Sequence, residues 1–229
     1  MKRLVFLPTT ISYGLLALTL AIFWKYPFIY FVITALIVSV VFFFSRRAFI
    51  PYRDTLKNEG EIYLSPVHGE IKSIRLNVPT LNDPHPHHEV RFTISNFNEK
   101  GLYLPTTGEV AYLRATKGVK IPRDSEGQAF YRPIDEVSHT DLTLMSKNKT
   151  HTLLRFIDCK YGKRPTIWLK SGDRGRGAAC FGYYPFGGTL IIYLPHNSDI
   201  LVFENERVVP GQTVIAAIKD VNKDQSNVV

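Results

Sequence analysis

Cysteine is scarce in this chain of 229 residues: only Cys159 and Cys180 occur, and they form no C-x-x-C pair. A disulfide scaffold and a cysteine-built zinc site are therefore excluded, and two lone thiols suit a reducing compartment. Long amphipathic helical patterns are missing too. So are basic helices and the motifs of nucleic-acid readers, so the net charge of +8 does not argue for a nucleic-acid partner. No strand–loop–helix phosphate loop is present. No lysine stands at a hairpin tip, where a swinging-arm carrier needs one.

What the chain has in excess is apolar length at its start. Leu4 to Trp24 and Pro27 to Phe44 carry no charged side chain, and a membrane-crossing helix needs about 20 apolar residues. Met1-Lys2-Arg3 is a start that a signal peptide also has. The apolar run behind it, however, exceeds the usual core of about 7–15 residues, and a second run follows at once. The expectation is a transmembrane helical hairpin, helices at about 4–24 and 27–44, within a segment 1–48. Lys2 and Arg3 before it, and Arg46 and Arg47 after it, place both ends on the cytoplasmic side. That implies the inner membrane, with the C-terminal domain in the cytoplasm. Anionic membrane phospholipid then becomes the expected partner of the surplus charge, at about 1 kcal/mol per basic residue near the surface.

After a connector over 49–58 the pattern changes. Short apolar runs broken by Gly, Pro, Asn and Asp, such as "THTLLRFIDC" and "GTLIIYLP", indicate strands. The fold class is mostly β (β-rich α+β), with the domain over 59–219 and a flexible tail over 220–229. The stretch Lys117 to Asp141 reads as a loop with at most one short helix. Two turns look related, "SPVHGEIKSI" and "LPTTGEVAYL", each ending in Gly-Glu ahead of a strand. "VVPGQTVIAAI" has the same flavour, its Pro-Gly pair making a turn between strands.

Three groups are candidates for binding. His85, His87 and His88, beside Glu89, carry donors suited to zinc, although a solvated Pro-rich loop explains "DPHPHHE" as well. Arg174 and Arg176 in "KSGDRGRG" have the chemistry for a phosphate or lipid headgroup, against a plain solvated turn. Phe181, Tyr183, Tyr184 and Phe186 are either core or the lining of an acyl or headgroup pocket.

One order of motifs spans nearly the whole chain. Ser65, Pro66, Val67, His68 and Gly69 make the first turn, and "SNFNEKGLYLPTTG" runs from Ser95 to Pro105 and Gly108. Asn148, Lys149 and Thr150 follow. Then come Phe186, Gly187 and Gly188, Tyr193, Leu194 and Pro195, and finally "VVPGQTVIAAI". In this order the chain resembles the phosphatidylserine decarboxylases, in their short form with a membrane hairpin.

The resemblance implies a chemistry and its loss. Members cut their own chain before a serine in the Phe-Gly-Ser motif, and the serine becomes a pyruvoyl group that draws electrons during loss of CO2. Here Gly188 falls at that serine, and glycine has no β-carbon, so no pyruvoyl cofactor is expected. His68 falls at the family's aspartate. Lys100 falls at the histidine that activates the serine and handles protons. Thr189 is a remote alternative nucleophile, because neighbouring strand residues point to opposite faces. The expected protein is a membrane-anchored pseudoenzyme that binds lipid or serves as a subunit of a membrane complex, as a homo-oligomer or with a membrane-protein partner. The alternatives are an active aminophospholipid decarboxylase with unusual processing near Gly188 and Thr189, and a β-rich adaptor with only architectural likeness.

Overall fold

The computed structural model describes residue 18 and residues 27–44, 61–80, 83–94, 98–120, 136–159, 164–185 and 187–218. The chain divides into two units, Met1–Phe49 and Ile50–Val229. In the first, helix α1 covers Pro27–Phe44. Its 18 residues rise about 27 Å at about 1.5 Å each, against a hydrocarbon core of about 30 Å. Among the described residues no helix is long and apolar enough to cross a membrane. The expected transmembrane hairpin is thereby corrected, and with it the inner-membrane placement that rested on it. Of the segment 4–24 only Leu18 is among the described residues; the connector 49–58 and the tail 220–229 lie outside them.

The second unit is built of strands. The first five are β1 Glu61–Leu64, β2 Gly69–Thr80, β3 Asp83–Ile94, β4 Gly101–Tyr103 and β5 Gly108–Thr116. Then come β6 His139–Ser146, β7 His151–Ile157, β8 Thr166–Ile167, β9 Arg174–Gly175 and β10 Cys180–Tyr183. The last are β11 Gly188–Pro195, β12 Asp199–Ile200, β13 Arg207–Val208 and β14 Val214–Ile218. Among the described residues they form an eight-stranded sheet, in the order β13-β2-β3-β11-β7-β6-β5-β9, and two three-stranded sheets, β1-β14-β12 and β4-β10-β8.

That large sheet reads the same from either end, because the fold contains an approximate two-fold. β2 pairs with β3 as β5 pairs with β6, and each pair carries a bulge at the same step, Ile71/Ser73 and Val110/Tyr112. The edge strands follow suit: Arg207 faces Glu70 in one half and Arg174 faces Glu109 in the other. The two related turns clasp each other at the centre. Leu64 N–H donates to the Pro105 carbonyl at 2.8 Å, and Tyr103 N–H donates to the Pro66 carbonyl at 2.9 Å. β11 and β7 lie side by side at the axis, where Ile192 faces Leu154.

The glycines of the two turns have a steric reason. A Cβ on Gly69 would stand 2.5 Å from the Thr93 carbonyl oxygen, and one on Gly108 the same 2.5 Å from that of Met145. Close backbone approach, then, is what "Gly-Glu" records in both halves.

β11 is buried on both faces, which explains its unbroken apolar run. Leu190, Ile192 and Leu194 join Val90, Phe92, Leu142, Leu154 and Phe156 in the main core. Ile191 and Tyr193 pack with Val137 and Ile157 on the other face. That second face also buries ion pairs, Arg91 to Glu89 at 2.6 Å and Arg155 to Asp141 at 2.8 Å. Two loop assignments are corrected. The histidine-rich stretch lies in β3, where residues before His87 pair with β2 and not with β11. A proline costs least where a strand lacks one neighbour, so Pro84 and Pro86 fit there. Likewise His139 to Asp141 begin β6 and are not loop.

Candidate functional site

The stretch that the resemblance singles out joins β10 to β11. Gly187 N–H donates to the Tyr184 carbonyl at 3.2 Å, closing a four-residue turn with Pro185 at its second position, where a proline ring pre-sets φ. Phe186 lies outside the described residues. Gly187 has φ 70° and Gly188 has φ 148°, values that side chains rarely adopt.

The space around the pair is occupied. A Cβ on Gly188 would stand 2.5 Å from the Tyr184 hydroxyl oxygen, 2.8 Å from its Cζ and 3.2 Å from the Cys159 Sγ. Tyr184 is held there firmly: it is buried, its hydroxyl donates to the Ile157 carbonyl, and its ring meets Phe156 edge-on at 5.9 Å. Gly187 is pressed against the Ile94 carbonyl, and a Cβ on it would come within 3.2 Å of the Lys100 Nζ. The backbone here thus passes through a slot walled by Tyr184, Cys159, Ile94 and Lys100.

Lys100 and His68 reach this neighbourhood from the segments just ahead of β4 and β2. Lys100 is buried, and its carbonyl accepts the Tyr184 N–H at 2.8 Å. His68 is half-buried; its carbonyl accepts the Asn98 Nδ2–H at 3.2 Å, and the next residue, Gly69, packs on Thr93 and Ile94. Gly188 itself pairs with Ile94. The three positions matched to the family's reactive groups therefore converge on the end of β3. Thr189 is on the opposite face of β11 from Gly188, the face of Ile191 and Tyr193, and pairs with Thr93 and Ile157.

The other candidates are dispersed. Phe181 and Tyr184 are core residues, 2% and 1% exposed, and Phe181 packs edge-on against Phe156. Tyr183 is half-buried, and burial raises its pKa above the ordinary phenol value. Arg174 is exposed and paired with Glu109 at 2.9 Å, and Arg176 is exposed. The amides of their loop are spent inside the protein: Gly172 N–H goes to Val110, Ala178 N–H to Leu104 and Gly177 N–H to the Thr107 hydroxyl. A nest of amides for phosphate is thus not formed by these three. His87 and His88 are adjacent in β3 and point to opposite faces; His88 Nδ1 accepts the Asn77 N–H at 3.3 Å. The His85 side chain lies outside the described residues. Among the described residues no group of three His, Cys, Asp or Glu side chains is placed to hold a metal.

One residue escaped the reading of the sequence, and one was read only as an aromatic. Cys159 is distant from Gly188 in sequence and arrives through the pairing of β7 with β11. The Tyr184 hydroxyl is a wall of the slot. Neither carries a sequence signal beyond its residue type.

Comparison with known proteins finds distant relatives. No family model matches the chain. A phosphatidylserine decarboxylase proenzyme of Parabacteroides distasonis is 22% identical over 195 residues, covering 82% of this chain and 81% of that protein. One from Cytophaga hutchinsonii is 24% identical over 189 residues, 81% of this chain and 80% of its own length. The chain is distantly similar to phosphatidylserine decarboxylase proenzymes. A third, from Symbiobacterium thermophilum, is 29% identical over 116 residues, which span 50% of this chain and only 51% of that relative.

Proposed function

We propose that this protein is a non-catalytic relative of the phosphatidylserine decarboxylases, working by binding and not by turnover. Its ligand is phospholipid, or it serves as a subunit beside other copies or a membrane-protein partner. The observation that carries the reading is Gly188. The residue has no β-oxygen to attack the preceding carbonyl, and the place of a β-carbon is taken by the Tyr184 hydroxyl 2.5 Å away. A pyruvoyl group does not fit these residues, so no step is assigned to one. His68 and Lys100, at the positions matched to the family's helpers, have no serine to serve.

The test is the mass of the purified full chain with a carbonyl probe. The expected result is one uncut chain of 26.1 kDa that takes up no hydrazide label. Two fragments split near residue 188, or a borohydride-sensitive carbonyl, would return the protein to the enzymes. Co-sedimentation with vesicles of phosphatidylserine and of phosphatidylcholine then reads the binding: pelleting above a vesicle-free control with either lipid supports it. No pelleting with either removes phospholipid as the ligand and leaves the subunit role.

A further inference from the structure

The two-fold gives the slot around Gly188 a counterpart at the other end of the large sheet. Register fixes the correspondence. Gly188 faces Ile94 across β11 and β3, and in the other half Thr150 is bonded to Ser146, whose N–H donates to the Thr150 carbonyl at 2.9 Å. Leu102 in β4 pairs with Gly182, as Tyr63 in β1 pairs with Ala216. Lys100 thus corresponds to Glu61, Leu102 to Tyr63, Ile94 to Ser146, Gly188 to Thr150 and Leu190 to Thr152. One end has a lysine among apolar residues and glycine. The other has a carboxylate among four hydroxyls.

Hydrogen bonding satisfies only part of that second cluster. Glu61 Oε2 accepts from Ser146 Oγ at 3.1 Å and from Thr150 Oγ1 at 3.0 Å. These two hydroxyl oxygens lie 2.7 Å apart, so if both protons go to Glu61, none is left between them. Glu61 Oε1, the Tyr63 hydroxyl and Thr152 Oγ1 are buried and have no hydrogen-bond partner among the described residues. Tyr63 and Thr152 are both 0% exposed. Burial raises the Tyr63 phenol above its ordinary pKa, and Thr150, Thr152 and Glu61 surround it as weak hydrogen-bond partners, none at the geometry of a formed hydrogen bond. Among the described residues no lysine or arginine pairs with Glu61. A buried carboxylate oxygen without a counter-charge is costly.

We propose that Glu61, Tyr63 and Thr152, backed by Ser146 and Thr150, form a site for one small, singly charged hard cation, with sodium as the natural occupant. An all-oxygen set selects a hard ion, and a single carboxylate balances a single charge. The cation then takes the part of the Lys100 ammonium in the other half: each end of the sheet is completed by one positive charge, built in at one and bound at the other. The site does not depend on the function proposed above.

Thermal unfolding of the full chain in sodium chloride and in choline chloride, at equal ionic strength, reads it directly. Sodium at ten times its dissociation constant multiplies the folded-to-unfolded ratio by about eleven, a rise of roughly 3–6 °C in Tm for a chain of this size. The rise saturates with sodium and disappears in Glu61→Gln. Should that variant not fold, Thr152→Val, which keeps the shape and removes the oxygen, shows the same loss. Equal Tm in the two salts overturns the proposal, since a buried water in this place is indifferent to the cation. So does a sodium shift that survives in a folded variant.

Discussion

At one end of the sheet Lys100, Leu102, Ile94, Gly188 and Leu190 meet; at the equivalent end Glu61, Tyr63, Ser146, Thr150 and Thr152 do. The backbones match strand for strand and share the bulge that follows each turn, although β2–β3 has two further irregularities, at Arg75/Val78 and Val78/Thr80. Not one of these five side chains is shared between the halves. The identities that are shared lie elsewhere: Pro66 and Pro105, Gly69 and Gly108, Glu70 and Glu109, Arg207 and Arg174. The proline and glycine pairs are turn positions where backbone geometry is demanding, and the Glu and Arg pairs face each other across the edge strands. The lesson is that the scaffold constrains the turns, and leaves the two sites open to opposite chemistry.

The comparison can be broken most forcefully at the buried ion pair beside the axis. Asp141 sits on β6 where Glu89 sits on β3, and both Arg155 nitrogens that reach it do so at 2.8 Å. Asp141→Ala leaves Arg155 buried without its carboxylate and is expected to cost about 3–5 kcal/mol, measured by urea unfolding. Burial opposes the Asp141 charge, but Arg155 and His139 outweigh it, and its pKa is held below the ordinary value. A lowered carboxylate pKa stabilises the fold above the unfolded value, near pH 4, and that contribution fades as pH falls through the folded value. Acid titration of stability in Asp141→Asn is therefore expected to be flatter below about pH 4 than in the parent; an unchanged slope counts against the coupling.

Next in size is the slot itself. Gly188→Ser combines a φ of 148° with overlap against Tyr184, and is expected to lose about 2–4 kcal/mol without cleaving the chain. The matching change at the other end, Thr150→Gly, removes one of the two hydroxyls that reach Glu61 Oε2 and is expected to cost about 1 kcal/mol. Equal losses would show that the two ends do not differ as described. Removing the Tyr184 hydroxyl from the serine variant sharpens the point. Gly188→Ser with Tyr184→Phe is expected to be less destabilised than the two changes added together, by about 1 kcal/mol. Strict additivity would mean that Tyr184 is not the obstacle.

The smallest effect belongs to the equivalent edge arginines. Arg174 pairs with Glu109 in one half, at 2.9 Å, whereas in the other half Glu70 takes Lys72 at 2.7 Å. Because Arg174 is 85% exposed, Arg174→Ala is expected to change stability by no more than about 0.5 kcal/mol.

Much of the β domain was legible in the residues, because turn chemistry and alternation are local. The kinship of "SPVHGE" and "LPTTGE" was visible, and so was the meaning of glycine at 188. The two-fold behind that kinship was not. One repeat, β4 to β10, is continuous, but it is inserted between β3 and β11 of the other, so a linear scan meets the second repeat in two pieces. The histidine run misled because prolines normally mark loops, and only the absence of β11 beside residues 83–86 makes them tolerable in a strand. At the apolar start the expected helix 27–44 coincides with α1, but lack of charge alone does not make a membrane crossing, and among the described residues no helix is long and apolar enough for one. Tyr184 was legible as an aromatic but not as a wall, since its role depends on Ile157 and Cys159 from another strand.

The nesting of one repeat inside the other also sets an order of events during synthesis. β4 to β10 emerge as a continuous stretch that holds all of its own pairings except that of β7 with β11. β3 can pair with β2 at once, but its other edge must wait for β11, with Gly188 arriving opposite Ile94. At about 5–20 residues per second, that wait is on the order of 5–20 s. For that interval a strand that ends as the buried neighbour of β11 presents an open edge, and the nascent chain is most exposed to mispairing there.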